Sequence, residues 1–472
     1  MIELIILILI ILIPLVLLIQ KFPDFFFWFL LMLFFDPGGF FEGYFSSKVI
    51  GPINFSDLFF GGMIFSIAIV KGRKKVLSFD NNFKRIFIYF IFFQFYYIIF
   101  YGFIVPLLNN RLDFFFFLQK NRMYFMALPI MYGVYIFAQR SLKIFFKLLI
   151  IFSFTILVLY LFTLIIKLPI VPIETMERYT GSGIERISML SYGLIYWILP
   201  LAIIIFYIKQ KVRINIINEK VIYFNAFLMF ITYLLTLTRR EYLRIFLTIV
   251  LISILVSYIF RVSKIKLNIK ILTSVLLGLI VFSFVFPNSL GNIITVFKDT
   301  FLVIFTGHNI QGMEEYRVTG TGDMLYVKQI IKENFLLGTG YVPYIWEDIV
   351  RLKLYGDTFA MALDASAEVP IYGAFFRLGI LGVLFASGIY IIILKDLINV
   401  TKSIKRFKER LFYLNDIELI MFFMTLYLLF SHFTIQFYSL FGVFYSPSTI
   451  PEFGVLIGLF YALKKKWENA VG

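Results

Sequence analysis

The sequence predicts an all-α polytopic membrane protein, and three observations support this fold class. The chain is 61% hydrophobic and only 15% charged, and its mean hydropathy of +0.91 is far too apolar for a soluble domain. Runs of about 18 or more apolar residues recur, and each can cross a hydrocarbon core of about 30 Å. The runs are continuous and do not alternate with a period of two, which indicates helices and not a barrel.

The apolar runs predict a bundle of about 12 to 14 transmembrane helices. The expected spans are 3–19, 22–36, 55–70, 86–107, 123–138, 148–166, 189–208, 221–238, 244–260, 271–287, 370–394, 417–435 and 452–463. The first run starts at Met1 without a basic segment or a small-residue cleavage site, so we expect a span and not a signal peptide. The chain then divides into spans over 1–287, one long loop over 288–369, and further spans with a tail over 370–472.

The net charge of +16 reports membrane orientation, not a nucleic-acid partner. Most of the excess lies in short segments at 71–75, 139–147, 261–270 and 402–410. Because basic residues gather on the cytoplasmic side, alternating the spans places the N-terminus outside and the C-terminal KKK (464–466) in the cytoplasm. The outer face then receives the loops at 37–54, 108–122, 167–188, 239–243, 288–369 and 436–451.

Cysteine and histidine usage limits the available chemistry. With no cysteine and two histidines, the chain has no disulfides, no thiol nucleophile and no set of residues for a Cys or His metal site. We therefore expect neither a metal nor another cofactor.

The long loop at 288–369 carries most of the polar chemistry. It contains EYRVTGTGDMLYVKQIIKENFLLGTGY (315–341), in which Thr321 is placed to cap a helix that LLGTGY ends. A second helix is expected at 343–356, with its apolar residues on one face. That helix either lies on the membrane surface or packs against the bundle.

The most unusual polar segment is TRREYLR, which holds Arg239, Arg240 and Arg244 on the expected outer side. Arginines are scarce on that side, and charges at membrane depth are costly. Arg240 and Arg244 share a face if the segment is helical, so an anion such as phosphate between them relieves their repulsion. In the alternative interpretation, Glu241 and lipid headgroups solvate these arginines.

Other candidate residues lie around the long loop. Arg317 precedes the first loop helix beside a Thr-Gly-Thr-Gly segment that lets a ligand approach the backbone. Arg377 lies about two turns inside its span, where it snorkels outward or pairs with an anion. Asp364 and Glu368 stand at the mouth of that span, either as a base for a sugar hydroxyl or as carboxylates favoured by the helix dipole.

The remaining candidates have weaker sequence support. His432 lies near the expected outer end of its span, although a lone histidine is usually structural. The loop at 167–188 also offers charged residues, and nothing in their spacing singles one out: Glu174, Glu177, Arg178 and Arg186.

Three stretches carry a resemblance to a known family: LTLTRREYL (235–243), YRVTGTGDMLYVKQIIKENFLLGTGY (316–341) and VPIYGAFFRLGILGVL (369–384). They place an arginine after a span, then a long external loop whose helix ends in G-x-G, then a span with G-x-x-G. This order resembles the O-antigen polymerase and O-antigen ligase superfamily. The resemblance covers the second half of the chain.

The resemblance implies a GT-C-like, membrane-embedded glycosyltransferase at the outer face of the bacterial cytoplasmic (inner) membrane. Both donor and acceptor are then oligosaccharides on undecaprenyl pyrophosphate, within the lipid bilayer, and a chain-length regulator is a further partner. By the family's pattern, Arg240 and Arg317 hold the pyrophosphate. We group Arg239, Arg244 and Arg377 with them.

Other functions were weighed against a polymerase. Ligases of this superfamily commonly carry a histidine in an HN-type motif before the next span, where this chain has DASAEVP (364–370), so the sequence favours the polymerase. A lipid-linked oligosaccharide flippase is the alternative from another class, but flippases tend towards two similar halves with a charged central cavity. A peptidoglycan polymerase also has many spans and a long outer loop, and no motif supports it here.

Overall fold

The computed structural model describes most of the chain as helices. The described residues are 17–43, 48–50, 53–73, 80–177, 185–210, 212–216, 219–236, 239–260, 295, 298, 322–368, 370–407, 411, 413–434, 444 and 449–469. Residues 3–16 of the expected first span, the expected span at 271–287 and Arg317 lie outside these ranges.

The helices are α1 Pro23–Phe34, α2 Phe55–Arg73, α3 Asn81–Leu108, α4 Phe114–Ile166, α5 Ile198–Lys209, α6 Glu219–Leu235, α7 Arg239–Phe260, α8 Gly322–Glu333, α9 Trp346–Leu354, α10 Thr358–Glu368, α11 Pro370–Arg406, α12 Asp416–Phe433 and α13 Ile450–Asn469. One further helical turn lies at Phe40–Gly43, and a 3₁₀ turn at Ile195–Trp197 leads into α5. Two antiparallel hairpins complete the described structure: β1 Lys48–Ile50 with β2 Ile53–Asn54, and β3 Ile173–Glu177 with β4 Glu185–Met189.

Five helices of the described part are long and apolar enough to cross a membrane: Phe55–Gly72, Asn81–Leu108, Phe114–Ile166, Ile371–Arg406 and Asp416–Phe433. Three shorter apolar helices accompany them: Pro23–Phe34, Ile195–Lys209 and Leu247–Phe260. The predicted class, an all-α membrane protein, is therefore confirmed. The number of about 12 to 14 spans stays a prediction.

Helix α4 corrects one predicted loop. The segment 139–147 was expected to connect two spans, but it is helical apart from Ser141, whose φ of −141° and ψ of 29° break the helix. Phe137 and Phe152 would be about 22 Å apart in a straight helix. Their rings nevertheless contact Phe27 and Phe29, two neighbouring positions of α1. The chain therefore reverses at Ser141, and the division of this segment into two spans stays a prediction.

The structure changes several other boundaries. The expected loop at 239–243 is the start of α7, which places the arginine cluster on a helix. The expected loop at 402–410 is helical up to Arg406. Hairpin β3–β4 lies in the expected loop at 167–188, where the sequence analysis predicted no strands.

The long loop forms a small helical layer. The helix expected after Thr321 begins at Gly322, and the helix expected at 343–356 contains α9. Helices α8, α10 and α11 share a second core of Val327, Ala362, Leu363 and Phe376. Ile349 of α9 packs against that core, which supports packing on the protein for this face of the helix.

Different ion pairs lie at the two ends of the helix bundle. At one end, Arg85 pairs with the buried Asp396 at 3.3 Å, and Arg140 pairs with Asp24 at 3.1 Å. The described parts of the basic segments turn at this end, which we call the basic end. At the other end, Arg122 pairs with Asp57 at 2.8 Å. The described residues of the expected outer loops gather there, and we call it the loop end.

Close packing of two helices organises the core. The buried face of α13 lies against α4, and a Cβ added at Gly458 would meet the carbonyl oxygen of Met131 at 2.6 Å. At Gly454, one turn earlier, a Cβ would meet the carbonyl oxygen of Ala127 at 2.9 Å. Two glycines four residues apart thus let the two backbones approach closely, as in many membrane helix pairs.

Candidate functional site

A contact series at the loop end joins a cation, a hydroxyl and a carboxylate. Arg244 lies in the second turn of α7, and its guanidinium carbon is 4.9 Å from the centroid of the Tyr196 ring. The Tyr196 hydroxyl donates a hydrogen bond to the Glu452 carboxylate. We call Arg244, Tyr196 and Glu452 the arginine–glutamate cluster.

Local backbone structure positions the members of this cluster. Tyr196 lies in the 3₁₀ turn before α5, next to Trp197, which is fully buried and fixes the turn in the core. Gly193, at φ of 49°, precedes this turn, and a Cβ there would meet the carbonyl oxygen of Phe35 at 2.9 Å. Glu452 lies in the first turn of α13. The helix dipole favours a carboxylate at that position.

Polar contacts behind Arg244 tie α7 to α12. The Thr248 and Tyr427 hydroxyls lie 2.7 Å apart in a hydrogen bond, and Ser431 lines the same pocket of about 20 Å³ as Arg244. Such a pocket holds about one water molecule. The ring of His432 contacts Phe453 edge-on, with centroids 5.4 Å apart. Arg244 and His432 are close enough to interact electrostatically.

A cavity of about 450 Å³ opens beside Glu452. Its polar lining includes Asp36, Asn54, Ser56 and Ser191, and its aromatic lining includes Phe35, Phe41, Phe55 and Phe59. The backbone N–H of Phe41 donates to both Asp36 oxygens at 3.1 Å. This volume lies within the range of small-molecule pockets. We call it the aromatic–acid cavity.

A second cavity of about 400 Å³ surrounds Arg377 at the same end of the bundle. It is also lined by Lys120, Tyr101 and Tyr341. Tyr101 and Arg377 lie side by side in this lining. With Tyr344, which also lines it, the cavity combines two cationic side chains with three tyrosines, and we call it the Arg377 cavity.

Arg377 is placed there by a break in its span. Helix α11 is non-helical at Gly379, at φ of 64° and ψ of −177°. Because of the break, several backbone N–H and C=O groups of α11 have no partner within the helix. The segment after α8 supplies hydrogen-bond partners for them. Thr339 N donates to Phe376 O at 2.8 Å, Gly340 N donates to Arg377 O at 3.2 Å, and Ile380 N donates to Phe335 O at 2.8 Å. The Tyr96 hydroxyl donates to Leu378 O at 2.6 Å. Irregular backbone at membrane depth requires such replacement.

The opposite wall of the Arg377 cavity is irregular as well. Residues Tyr97–Ile104 of α3 form a π-helical segment, a feature often found at functional sites. The backbone N–H of Tyr341 donates to Tyr101 O at 2.8 Å, which attaches the loop to this segment. Burial raises the pKa of the Tyr341 hydroxyl, with Tyr101 and Asp113 adding to the effect, while the charge of Arg377 opposes it.

The structure brings some predicted site residues together and separates others. Arg244 and His432 lie in one region, while Arg377 lines a different cavity. For four predicted residues the structure describes the backbone but not the side chain: Arg239 and Arg240 at the start of α7, and Asp364 and Glu368 in α10.

Sequence reasoning missed Tyr196, Glu452 and Asp36. A carboxylate at the start of an apolar span was a usable signal for Glu452, since such a charge is rarely placed without a partner. Tyr196 and Asp36 carry no comparable signal, because their proximity to Glu452 arises only in the fold.

No known protein family, no curated protein and no solved structure matches this chain. Fold and composition define its class, a mostly helical membrane protein. Its chemistry must therefore be argued from the described side chains.

Proposed function

We propose that this protein is a membrane-embedded glycosyltransferase that polymerises a polysaccharide of the O-antigen type. It transfers a growing glycan from polyprenyl (undecaprenyl) pyrophosphate onto a lipid-linked repeat unit at the outer face of the bacterial cytoplasmic membrane. The arginine–glutamate cluster carries the proposal, because it sets Arg244 and Glu452 on either side of Tyr196 next to a cavity of about 450 Å³.

The donor pyrophosphate binds at the start of α7. A helix N-terminus presents unpaired backbone N–H groups and favours anions. Arg239 and Arg240 are the first two residues of α7, and Arg244 follows in the next turn. Guanidinium groups match phosphate oxygens in two-pronged hydrogen bonds. Three arginines within the first two turns of this helix therefore support a pyrophosphate site here.

The acceptor sugar occupies the aromatic–acid cavity. Sugar rings present apolar C–H faces to aromatic side chains and hydroxyl groups to polar ones, and this cavity offers both kinds of lining. Asp36 and Glu452 are its two carboxylates. A cavity with a few polar groups among aromatic side chains is the usual form of a site for an organic ligand.

The transfer step has one base and one stabilised leaving group. The acceptor hydroxyl oxygen attacks the anomeric carbon of the donor glycan, and its proton passes to the Glu452 carboxylate. The bond from the anomeric carbon to the pyrophosphate oxygen breaks, and its electron pair leaves with polyprenyl pyrophosphate. Arg244 stabilises the charge that develops there. Asp364 and Glu368 are the other candidates for the base.

The Arg377 cavity serves the second lipid substrate. A polymerase holds two molecules on polyprenyl pyrophosphate at once, so it requires a second anion site. Arg377 and Lys120 supply two cations, and an intramembrane arginine facing a cavity is a favoured place for a substrate anion.

The test is a surface-polysaccharide gel of a strain that lacks the gene, complemented with wild type, Glu452→Gln, Arg244→Ala or Arg317→Ala. We expect wild type to restore long chains and Glu452→Gln to leave single repeat units, since loss of a general base costs about 10²- to 10⁴-fold in rate. Glu347→Gln, an exposed carboxylate of α9, is the control and should behave as wild type.

Other outcomes of this gel identify other functions. Accumulation of long lipid-linked glycan that never reaches an acceptor indicates a ligase. Accumulation of lipid-linked single units on the inner leaflet indicates a flippase. Full activity of both Glu452→Gln and Arg244→Ala would show that the arginine–glutamate cluster takes no part in the transfer step.

A further inference from the structure

A large cavity at the basic end lies at the opposite end of the bundle from the proposed transferase site. It has a volume of about 590 Å³ and opens where α4 reverses at Ser141. Its walls come from both sides of this bend, from 215–216 and from the start of α12. We call it the basic-end cavity.

The acidic groups of the cavity are already occupied by contacts within the protein. Glu418 pairs with Lys466 and accepts from Asn415 N at 3.2 Å. Asp416 accepts from Asn215 N at 2.9 Å. Arg140, a further cation of the lining, pairs with Asp24. These contacts leave no carboxylate of the lining directed at the lysines of α4.

Lys143 and Lys147 of α4 give the lining of the basic-end cavity its excess of positive charge. Both line the cavity and are exposed. Among the residues that the structure describes, neither has a carboxylate within ion-pair distance. They are four residues apart on one helix, so they share a face and repel each other by a few tenths of a kcal/mol. An anion between them removes this repulsion.

The same face of α4 changes from charged to apolar away from the bend. Ile151 continues the line of Lys143 and Lys147, and its side chain is 57% exposed. Phe146 and Ile150 line the cavity next to them. The order is therefore two ammonium groups near the end of the bundle and apolar side chains towards its middle. A phospholipid has this polarity, with its phosphate at the membrane surface and its acyl chains deeper.

From this charge and polarity match, we propose that the basic-end cavity binds an anionic glycerophospholipid. The lipid phosphate lies between Lys143 and Lys147, and an acyl chain lies along Ile150 and Ile151. Two cations against one phosphate leave an excess of positive charge, so a headgroup that is itself neutral or anionic binds better than one that carries an ammonium group. Basic pockets between membrane helices bind anionic lipids in this way.

The test is native mass spectrometry of the full-length protein in detergent, with phosphatidylglycerol, phosphatidylcholine or inorganic phosphate added. We expect the wild type to retain phosphatidylglycerol in preference to phosphatidylcholine. The double variant Lys143→Ala/Lys147→Ala should lose roughly ten- to thirtyfold in affinity for phosphatidylglycerol. The control is Lys220→Ala/Lys402→Ala, which removes two exposed lysines that do not line the cavity and should bind as wild type.

Several results would overturn the proposal. Equal retention of both lipids by the wild type would show that the cavity does not prefer a lipid with a net negative charge. Equal loss of affinity in both double variants shows a diffuse charge effect and no site. If millimolar inorganic phosphate displaces phosphatidylglycerol, the site takes a soluble anion and not a lipid.

The folding control is the thermal midpoint of the lipid-free Lys143→Ala/Lys147→Ala variant. A midpoint equal to that of the wild type confirms that the fold is intact.

Discussion

Gly338 and Gly379 face each other across the break in α11. A Cβ at Gly379 would lie 2.4 Å from Gly338 N, and a Cβ at Gly338 would lie 2.5 Å from Gly379 N. Both glycines have positive φ, at 72° and 64°. The segment that replaces the helical hydrogen bonds therefore fits only while both positions lack a side chain, and this pair of glycines attaches the long loop to the membrane helices.

We expect Gly379→Ala to destabilise the protein by at least about 2 kcal/mol. The φ and ψ of Gly379 fall in a region that is essentially restricted to glycine, where another residue costs about 1–3 kcal/mol. The added methyl group would also collide with backbone atoms of the loop. The measurement is the thermal unfolding midpoint in detergent, together with the rate of proteolytic cleavage within residues 322–368.

Gly388→Ala is the matched control in the same helix. Its added methyl group would meet only a ring atom of Tyr89, at 3.9 Å, which is an ordinary contact. Alanine is also the better helix former, so we expect a neutral or slightly stabilising effect. Equal midpoints and cleavage rates for Gly379→Ala and wild type would show that the break does not depend on glycine.

The sequence predicts most of the helices because their signal is local. Runs of apolar residues specify spans, and the turn-forming LLGTGY ends α8 as expected. In each case the deciding property belongs to a few neighbouring residues, so no knowledge of the fold is required.

The features that were missed depend on contacts between distant segments. Gly379 lies in a run whose only charged residue is Arg377, and nothing local shows that residues 335–340 will replace its helical hydrogen bonds. The contact between Tyr196 and Glu452 joins positions 256 residues apart. The reversal of α4 at Ser141 occurs among helix-forming residues, where the hydroxyl accepts from Trp28 Nε1 at 3.0 Å.

Gly458→Ala should lower the stability of the helix pair α4–α13. Its added methyl group would lie 2.6 Å from Met131 O, and this backbone atom moves only if the helices separate. We expect a loss of about 1–3 kcal/mol, as for other overpacked cores, measured as a lower thermal midpoint. Gly61→Ala in α2, where no atom lies within 4 Å of the added methyl group, is the control. An unchanged midpoint for Gly458→Ala would contradict close packing here.

The attachment of the loop should weaken at alkaline pH through Tyr341. Burial raises the pKa of its hydroxyl in the folded state above the usual value of about 10. The neutral hydroxyl therefore contributes stability that is fully present below about pH 10 and is lost as the pH rises further, because the unfolded state ionises first.

Replacement by phenylalanine removes this ionisation. We expect Tyr341→Phe to show a smaller drop in thermal midpoint between about pH 8 and pH 11 than the wild type. Tyr355→Phe is the control, since the Tyr355 side chain is 82% exposed. Identical drops for Tyr341→Phe and the wild type would show that ionisation of this hydroxyl does not affect the fold.

Tyr196→Phe should reduce polysaccharide chain length while the protein stays folded. The substitution keeps the ring beneath Arg244 but removes the hydroxyl that donates to Glu452. A hydrogen bond contributes about 0.5–1.5 kcal/mol net, so we expect the polymerisation rate to fall by roughly two- to tenfold. The measurement is the polysaccharide chain-length distribution, with the amount of protein in the membrane as the check on folding.

Tyr207→Phe provides the matched comparison for this substitution. Tyr207 lies in the next helix, α5, and its buried side chain lines neither the pocket beside Arg244 nor the aromatic–acid cavity. We expect this variant to make chains of wild-type length. Shortening by Tyr207→Phe to the same extent would assign the effect to general packing of α5. Full-length chains from Tyr196→Phe would show that the transfer step does not require the hydrogen bond between Tyr196 and Glu452.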